Sequence, residues 1–214
     1  MAENVKRGYR SDLRAAQAQQ TRRRIVAAAA DLFVSAGYGG TSVDAIAVAA
    51  GVSRKTVFSS VGGKAELLSL ALDWAIAGDD APVPLSARPE VVALLRLEDG
   101  GALLTGWARV LTGINARVGA LLAALEAAAT LDEGARALSE KLHAQRRDGA
   151  RQVVDAVAAT GGLRDGLSRS AAIDLACLFS DPALHRHLVA GHGWSGRRFE
   201  SWLAETLCGQ LLTA

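Results

Sequence analysis

Three places in this 214-residue chain gather residue types that could do chemistry. The first is His185, His187 and His192 after Asp181, a set of imidazole and carboxylate donors of the kind that hold transition metals. Spacings of two and five do not put all three histidines on one α-helical face, and no His-Glu-x-x-His pair occurs. A solvated surface or contacts of the C-terminal helices account for them better, and no metal is expected. The second place is Gly62-Gly63-Lys64, the ending of a phosphate-cradling loop. Phe58 stands where the first glycine would be, Ala65 stands where the Mg²⁺-binding hydroxyl would be, and no strand pattern precedes them. No Gly-x-Ser-x-Gly elbow is present either. The expectation is therefore no catalytic residue, no cofactor and no enzyme activity. The third place is Ser53-Arg54-Lys55-Thr56. A hydroxyl before a run of cations reads as a capped helix start, yet cations there oppose the helix dipole at a cost of ~0.3–1 kcal/mol. An anionic partner in front of the turn would offset that cost; a solvated basic turn is the plainer alternative.

The elements that position this turn are legible. Val43, Ile46, Ala47 and Ala50 recur at helical spacing and form the buried face of a short helix that Thr41 or Ser42 can cap. Gly51 sits just past its end, where a residue without Cβ can take the left-handed conformation. Ser53 caps the next helix, with Val52 and Val57 as a hydrophobic staple. Upstream, Ile25, Ala28, Ala29, Leu32, Phe33 and Ala36 form an apolar stripe ended by Gly37 and Gly39-Gly40. Two short helices joined at a glycine corner over a third present side chains to a DNA major groove.

Charge supports a nucleic-acid partner. The net charge is only +2, but residues 1–64 carry ten basic side chains against four acidic ones, and the remainder carries fourteen against eighteen. A basic end on an otherwise acidic chain is the electrostatic footprint of a DNA reader. Residues 1–20 are polar and rich in Arg and Gln, without a sustained apolar face. They read as a flexible arm that follows the DNA backbone, or as a merely soluble tail. Neither a secretory signal nor a membrane span is expected. Cys177 and Cys208 each lie in an apolar helical pattern and read as core thiols in a reducing, cytoplasmic compartment.

Residues 21–68 resemble the DNA-binding domain of TetR-type transcriptional regulators. The resemblance is carried by Ala36-Gly37-Tyr38, Thr41, Ile46-Ala47, Ala50-Gly51-Val52-Ser53, and Lys64 followed by Glu66-Leu67-Leu68. It implies an all-α chain, with an N-terminal three-helix helix-turn-helix domain and a larger C-terminal helical domain for ligand binding and dimerisation. It also implies a homodimer that holds a near-palindromic double-stranded operator and releases it when a small molecule binds. The expected division is an arm over 1–20, the DNA-binding domain over 21–66, a connecting helix over 67–81, and the ligand and dimer domain over 82–214. Thr21, Arg22, Thr41, Ser42, Ser53, Arg54, Lys55, Thr56, Phe58, Ser59, Ser60 and Lys64 are expected at the DNA. Family members commonly carry a histidine and further aromatic residues after the recognition helix, where this chain has Ser59, Ser60 and Val61. That departure favours the alternative of a small-molecule-binding or interaction protein whose operator binding is weakened or lost.

The remainder reads as helices near 90–97, 100–115, 117–130 and 132–160, after a proline-rich break at 79–89. A collective, mostly apolar ligand pocket is implied by the resemblance, with Trp107, Leu111, Leu125 and His143 as candidate contacts. Ordinary core packing would use the same apolar residues. Leu175, Phe179, Phe199, Trp202, Leu203, Leu207 and Leu211 are expected at a two-fold dimer seam, although the same stripe could close the core of a monomer.

Overall fold

Short polar side chains and glycine set the helix ends in the computed structural model, which describes residues 2–213 and the side chains of 13–213. Helices α1 (Ala2–Gly40, broken at Gly37, whose φ is +72°), α2 (Val43–Ala49), α3 (Arg54–Ser60) and α4 (Lys64–Ala77) come first. A 3₁₀ turn at Leu85–Ala87 leads to α5 (Pro89–Leu94), α6 (Gly100–Ala129), α7 (Glu133–Ala159), α8 (Arg169–Phe179) and α9 (Pro182–His185). A π-helical turn over Arg186–Gly191 precedes α10 (Gly196–Leu211). Among the described residues there is no strand, only an isolated antiparallel bridge between Leu163 and Leu212. Side-chain oxygens of Ser42, Ser53, Ser168, Asp181 and Ser195 accept from the first-turn amides of the helices they precede, each worth ~1 kcal/mol.

Two expectations about element bounds are corrected. Residues 2–20 are helical rather than an irregular arm. Ala15, Ala16, Gln17, Ala18, Gln19 and Gln20 are good helix formers, and the lack of an apolar face bears on packing, not on coiling. The arm's Met1, and the side chains of Lys6, Arg7 and Arg10, lie outside the described residues. The break expected at residue 116 is also absent, because α6 runs unbroken from Gly100 to Ala129. Residue 116 is an alanine, which cannot interrupt a helix.

The chain forms two compact units. One comprises the residues up to Asp73 together with Ala123–Arg136, and the other comprises Trp74–Leu122 together with Ala137–Ala214. The expected linear order of domains misses this, because 123–136 joins the amino-terminal unit. Leu125 and Ala135 are buried there, and Asp132 caps α7 by accepting from the Ala135 amide at 2.8 Å. In that same unit Ile25, Ala29, Phe33, Ile46, Ala47, Val57, Leu67, Leu68 and Leu72 are buried, and α1, α2 and α3 touch pairwise.

The second unit packs around α6. Leu103, Leu104, Trp107, Ala108 and Leu111 meet Val153, Val154 and Val157 of α7, Ala172, Ile173 and Ala176 of α8, and Phe199, Leu203, Leu207 and Leu211 of α10. Gly106 lets α5 lie close, since a Cβ there would collide with Leu94. By length and mean hydropathy α6 could cross a membrane, although no membrane span is expected from the sequence. Its apolar side is the core just described, and its Arg109 and Arg117 are exposed and paired within the unit.

The proline-rich break is strapped by an ion pair. Both terminal guanidinium nitrogens of Arg88, Nη1 and Nη2, donate to Asp79 at 2.6 Å. Those bonds, with the Ala81 amide, hold the Asp79 carboxyl at about 2. A carboxyl held below its ordinary range stabilises the fold fully above that range and loses the contribution as pH falls through the folded value. Carbon-13 NMR titration of the Asp79 carboxyl should therefore give a midpoint near pH 2; a midpoint near 4 would contradict the strap.

Candidate nucleic-acid interface

The corner between α2 and α3 follows from local chemistry. Gly51 adopts φ +64°, and nothing lies within 4 Å of where its Cβ would be, so glycine is required by the backbone and not by crowding. The amides of Gly51 and Val52 close the turn by donating to Val48 and Ala47 carbonyls. Val57 is fully buried on the inner face of α3 and Val52 is half-buried before the cap. This leaves Arg54, Lys55, Phe58 and Ser59 exposed on the outer face, with Thr56 and Ser60 half-exposed.

Arg54 is oriented, not loose. Its Nη1 donates to Asp44 Oδ2 at 2.7 Å, and its guanidinium carbon lies 5.5 Å from the centre of the Phe58 ring. Both partners of the pair are more than half exposed, so it contributes little to stability and chiefly fixes direction. Sequence reasoning missed Asp44. Its place in the first turn of α2 was the only signal, and its reach depends on how the two helices cross. The Ser53 and Thr56 hydroxyls bond each other at 2.8 Å, and Ser53 Oγ also accepts from the Thr56 amide. Lys55 is exposed beside it.

Several expected DNA residues are committed elsewhere. Thr41 is buried, and its hydroxyl donates to the Leu32 and Gly37 carbonyls, so it ties α1 to the loop and does not face solvent. Lys64 Nζ donates to the Tyr38 carbonyl at 2.7 Å and lies 4.1 Å from the centre of the Tyr38 ring, which turns it inward. Burial raises the Tyr38 phenol above its ordinary range. Thr21 donates to the Gln17 carbonyl within α1, and Arg22 is half-buried with its Nε covered. Ser42 is exposed but accepts from the Ala45 amide as a cap.

The expected ligand contacts differ in placement. Trp107 and Leu111 lie in the core of the second unit, Leu125 belongs to the first, and His143 is exposed on α7. An open groove of about 650 Å³ lies instead beside Ala183, Leu184, Arg186, His187, Ala190 and Gly191. Nor do the residues alone foretell that Trp107 Nε1 and Asn115 Nδ2, both buried on α6, lack acceptors. Of the expected dimer residues, Phe199, Leu203, Leu207 and Leu211 are buried in their own protomer's core. A period-3.6 stripe marks a covered face without identifying the cover. Leu175, Phe179 and Trp202 are half-exposed, and beside them Leu178 is exposed.

Residues 25–71 match the family profile described as "Bacterial regulatory proteins, tetR family". Over 77 residues the chain is 38% identical to the HTH-type transcriptional regulator SrpR of Pseudomonas putida, covering 36% of this chain and 34% of that one. The uncharacterised HTH-type regulator TtgW of P. putida matches at the same identity and length, over 54% of its own chain. The similarity thus spans about a third to a half of these relatives. Solved structures share the fold at low identity. NalD, the secondary repressor of the MexAB-OprM multidrug efflux pump in Pseudomonas aeruginosa, superimposes with a TM-score of 0.66 at 19% identity, over 91% of this chain and 97% of its own. A Saccharomonospora viridis protein solved in complex with choline gives 0.68 at 18%, over 92% and 100%.

Proposed function

We propose that this chain, whose residues 25–71 match the tetR family profile, is a homodimeric, cytoplasmic transcriptional repressor that a small molecule releases from DNA. One observation carries the DNA reading: α3 presents Arg54, Lys55, Phe58 and Ser59 outward, with the Arg54 guanidinium aimed by Asp44. The basic excess of residues 1–64 supports it. In this reading Arg54 and Lys55 reach base edges or phosphates, and Ser42, Ser53, Thr56 and Ser60 shape the surface around them. Two such helices spaced about 34–36 Å apart meet adjacent major grooves of a near-palindromic site. The half-exposed Leu175, Phe179 and Trp202, with exposed Leu178, support a subunit contact on the outward side of α8 and α10.

Effector release follows the logic of population shift. A ligand that prefers the conformation with unmatched helix spacing lowers DNA affinity by its differential affinity for the two states. NalD is named as a repressor of an efflux pump, and the S. viridis protein holds choline, which supports a small-molecule-responsive repressor. The buried, unpaired Trp107 Nε1 and Asn115 Nδ2 favour a mostly apolar effector with hydrogen-bond acceptors. The test is binding of the whole chain to labelled duplex from upstream of its own gene, across a salt series, with and without candidate effectors. Specific duplex should bind more tightly than random duplex, with a log–log salt slope of about one per phosphate contacted. Equal binding to random duplex at moderate salt would overturn the regulatory reading.

A further inference from the structure

We propose that His187 and His192 chelate a single divalent transition-metal ion of the zinc, nickel or copper class through their Nε2 atoms. The observation is local geometry. The two Nε2 atoms lie 3.2 Å apart, with ring centres at 4.7 Å and planes at 87°. Two imidazole nitrogens each ~2.0–2.1 Å from a tetrahedral zinc ion would be separated by about 3.3–3.4 Å. The pair is therefore already close to chelating distance.

The backbone explains why residues five apart meet. In an α-helix that spacing leaves side chains about 140° apart around the axis. Here Arg186–Gly191 is a π-helical turn, and the His192 amide donates to the His187 carbonyl at 3.1 Å. A turn closed by that longer bond returns residues five apart to one side, and such turns recur at functional sites. It is anchored on both sides. Leu188 and Val189 pack against the core of the second unit, the Trp194 amide donates to the Leu188 carbonyl, and Gly193 reverses the chain at φ +69°. Both rings nonetheless remain exposed, so an ion can reach them without a large desolvation cost.

The ligand chemistry selects the ion. Imidazole suits zinc, copper and nickel, whereas magnesium and calcium prefer oxygen. In the neutral pair one Nε2 donates to the other; chelation replaces that single hydrogen bond once the donor ring carries its proton on Nδ1. His185 takes no part, because its ring is buried 4.9 Å from that of Phe199. No third His, Cys, Asp or Glu joins the pair among the described residues. Water, or a donor from a small molecule in the groove that His187 lines, completes the coordination. Such a two-ligand site exchanges its ion more readily than a closed four-ligand structural site. The proposal concerns the second unit alone and does not depend on DNA binding.

The experiment is calorimetric titration of the untagged full chain with ZnCl₂, NiCl₂ and, as a control, MgCl₂. Zinc and nickel should each saturate at one ion per chain, and magnesium should give no binding. His187→Ala and His192→Ala should each weaken zinc binding at least about tenfold, while His143→Ala leaves it unchanged. Where an alanine variant loses its helical circular-dichroism signal, His187→Gln or His192→Gln replaces it and should show the same weakening. Zinc binding that survives both substitutions, or a wild-type chain that takes up no zinc, would overturn the assignment.

Discussion

Arg54→Ala combined with Lys55→Ala is expected to erase the preference for operator over random duplex while leaving the fold intact. Each base-reading contact is worth about 1–3 kcal/mol of discrimination, so the double variant should lose roughly 2–6 kcal/mol if both side chains read bases. A side chain that only neutralises phosphate would instead weaken all duplexes alike and lower the salt slope by about one. Stability should hardly move, because both side chains are exposed and surface changes of this kind lie within about 0.5 kcal/mol. Asp44→Asn adds a sharper test. It releases the Arg54 guanidinium and removes a negative charge from the same face. Preference should fall while total affinity at low salt rises, and fluorescence anisotropy on operator and random duplex reads both. Unchanged preference in the double variant would place the reading surface elsewhere.

Phe199→Ala is expected to remove about 3–5 kcal/mol of stability, the range for deleting a fully buried phenyl ring. The ring is inaccessible to solvent, lies 4.9 Å from the His185 ring and 5.6 Å from that of Trp202, and belongs to the same core as Leu203 and Leu207. Because the loss is internal to one protomer, the denaturant midpoint should fall equally at all protein concentrations. Trp202→Ala should behave differently, since its half-exposed ring lies on the outward side. Its larger effect should be on self-association, measured by sedimentation. A Phe199→Ala variant that keeps monomer stability and only dissociates would contradict the inward placement of this stripe.

These substitutions also mark how far the residues alone could lead. The helices of the amino-terminal lobe were legible because their ends depend on local chemistry: a serine hydroxyl over free amides, a glycine at positive φ. The outward face of α3 followed from the inward place of Val57. What depended on distant packing was not legible. Thr41 has the right type and position for a surface hydroxyl, yet the return of the loop onto Leu32 and Gly37 buries it. The α10 stripe predicted burial correctly but assigned it to a second copy, since periodicity carries no information about the covering partner. The histidines looked dispersed because an α period was assumed, and a wider turn brings two of them together. Trp107 and Asn115 could be seen as α6 residues, but whether an indole or amide finds an acceptor is decided by neighbours far along the chain.

The detached stretch Ala123–Arg136 has a consequence for engineering. A sensor transplant that joins residues 1–73 of this chain to a foreign effector module at one splice point would discard the last turns of α6, which carry Leu125, and the bend that carries Asp132. The DNA-reading module is thus discontinuous in the gene although continuous in space. Hybrid regulators built on it require three junctions, one in α4 and one on each side of the α6–α7 bend, so that both pieces travel together.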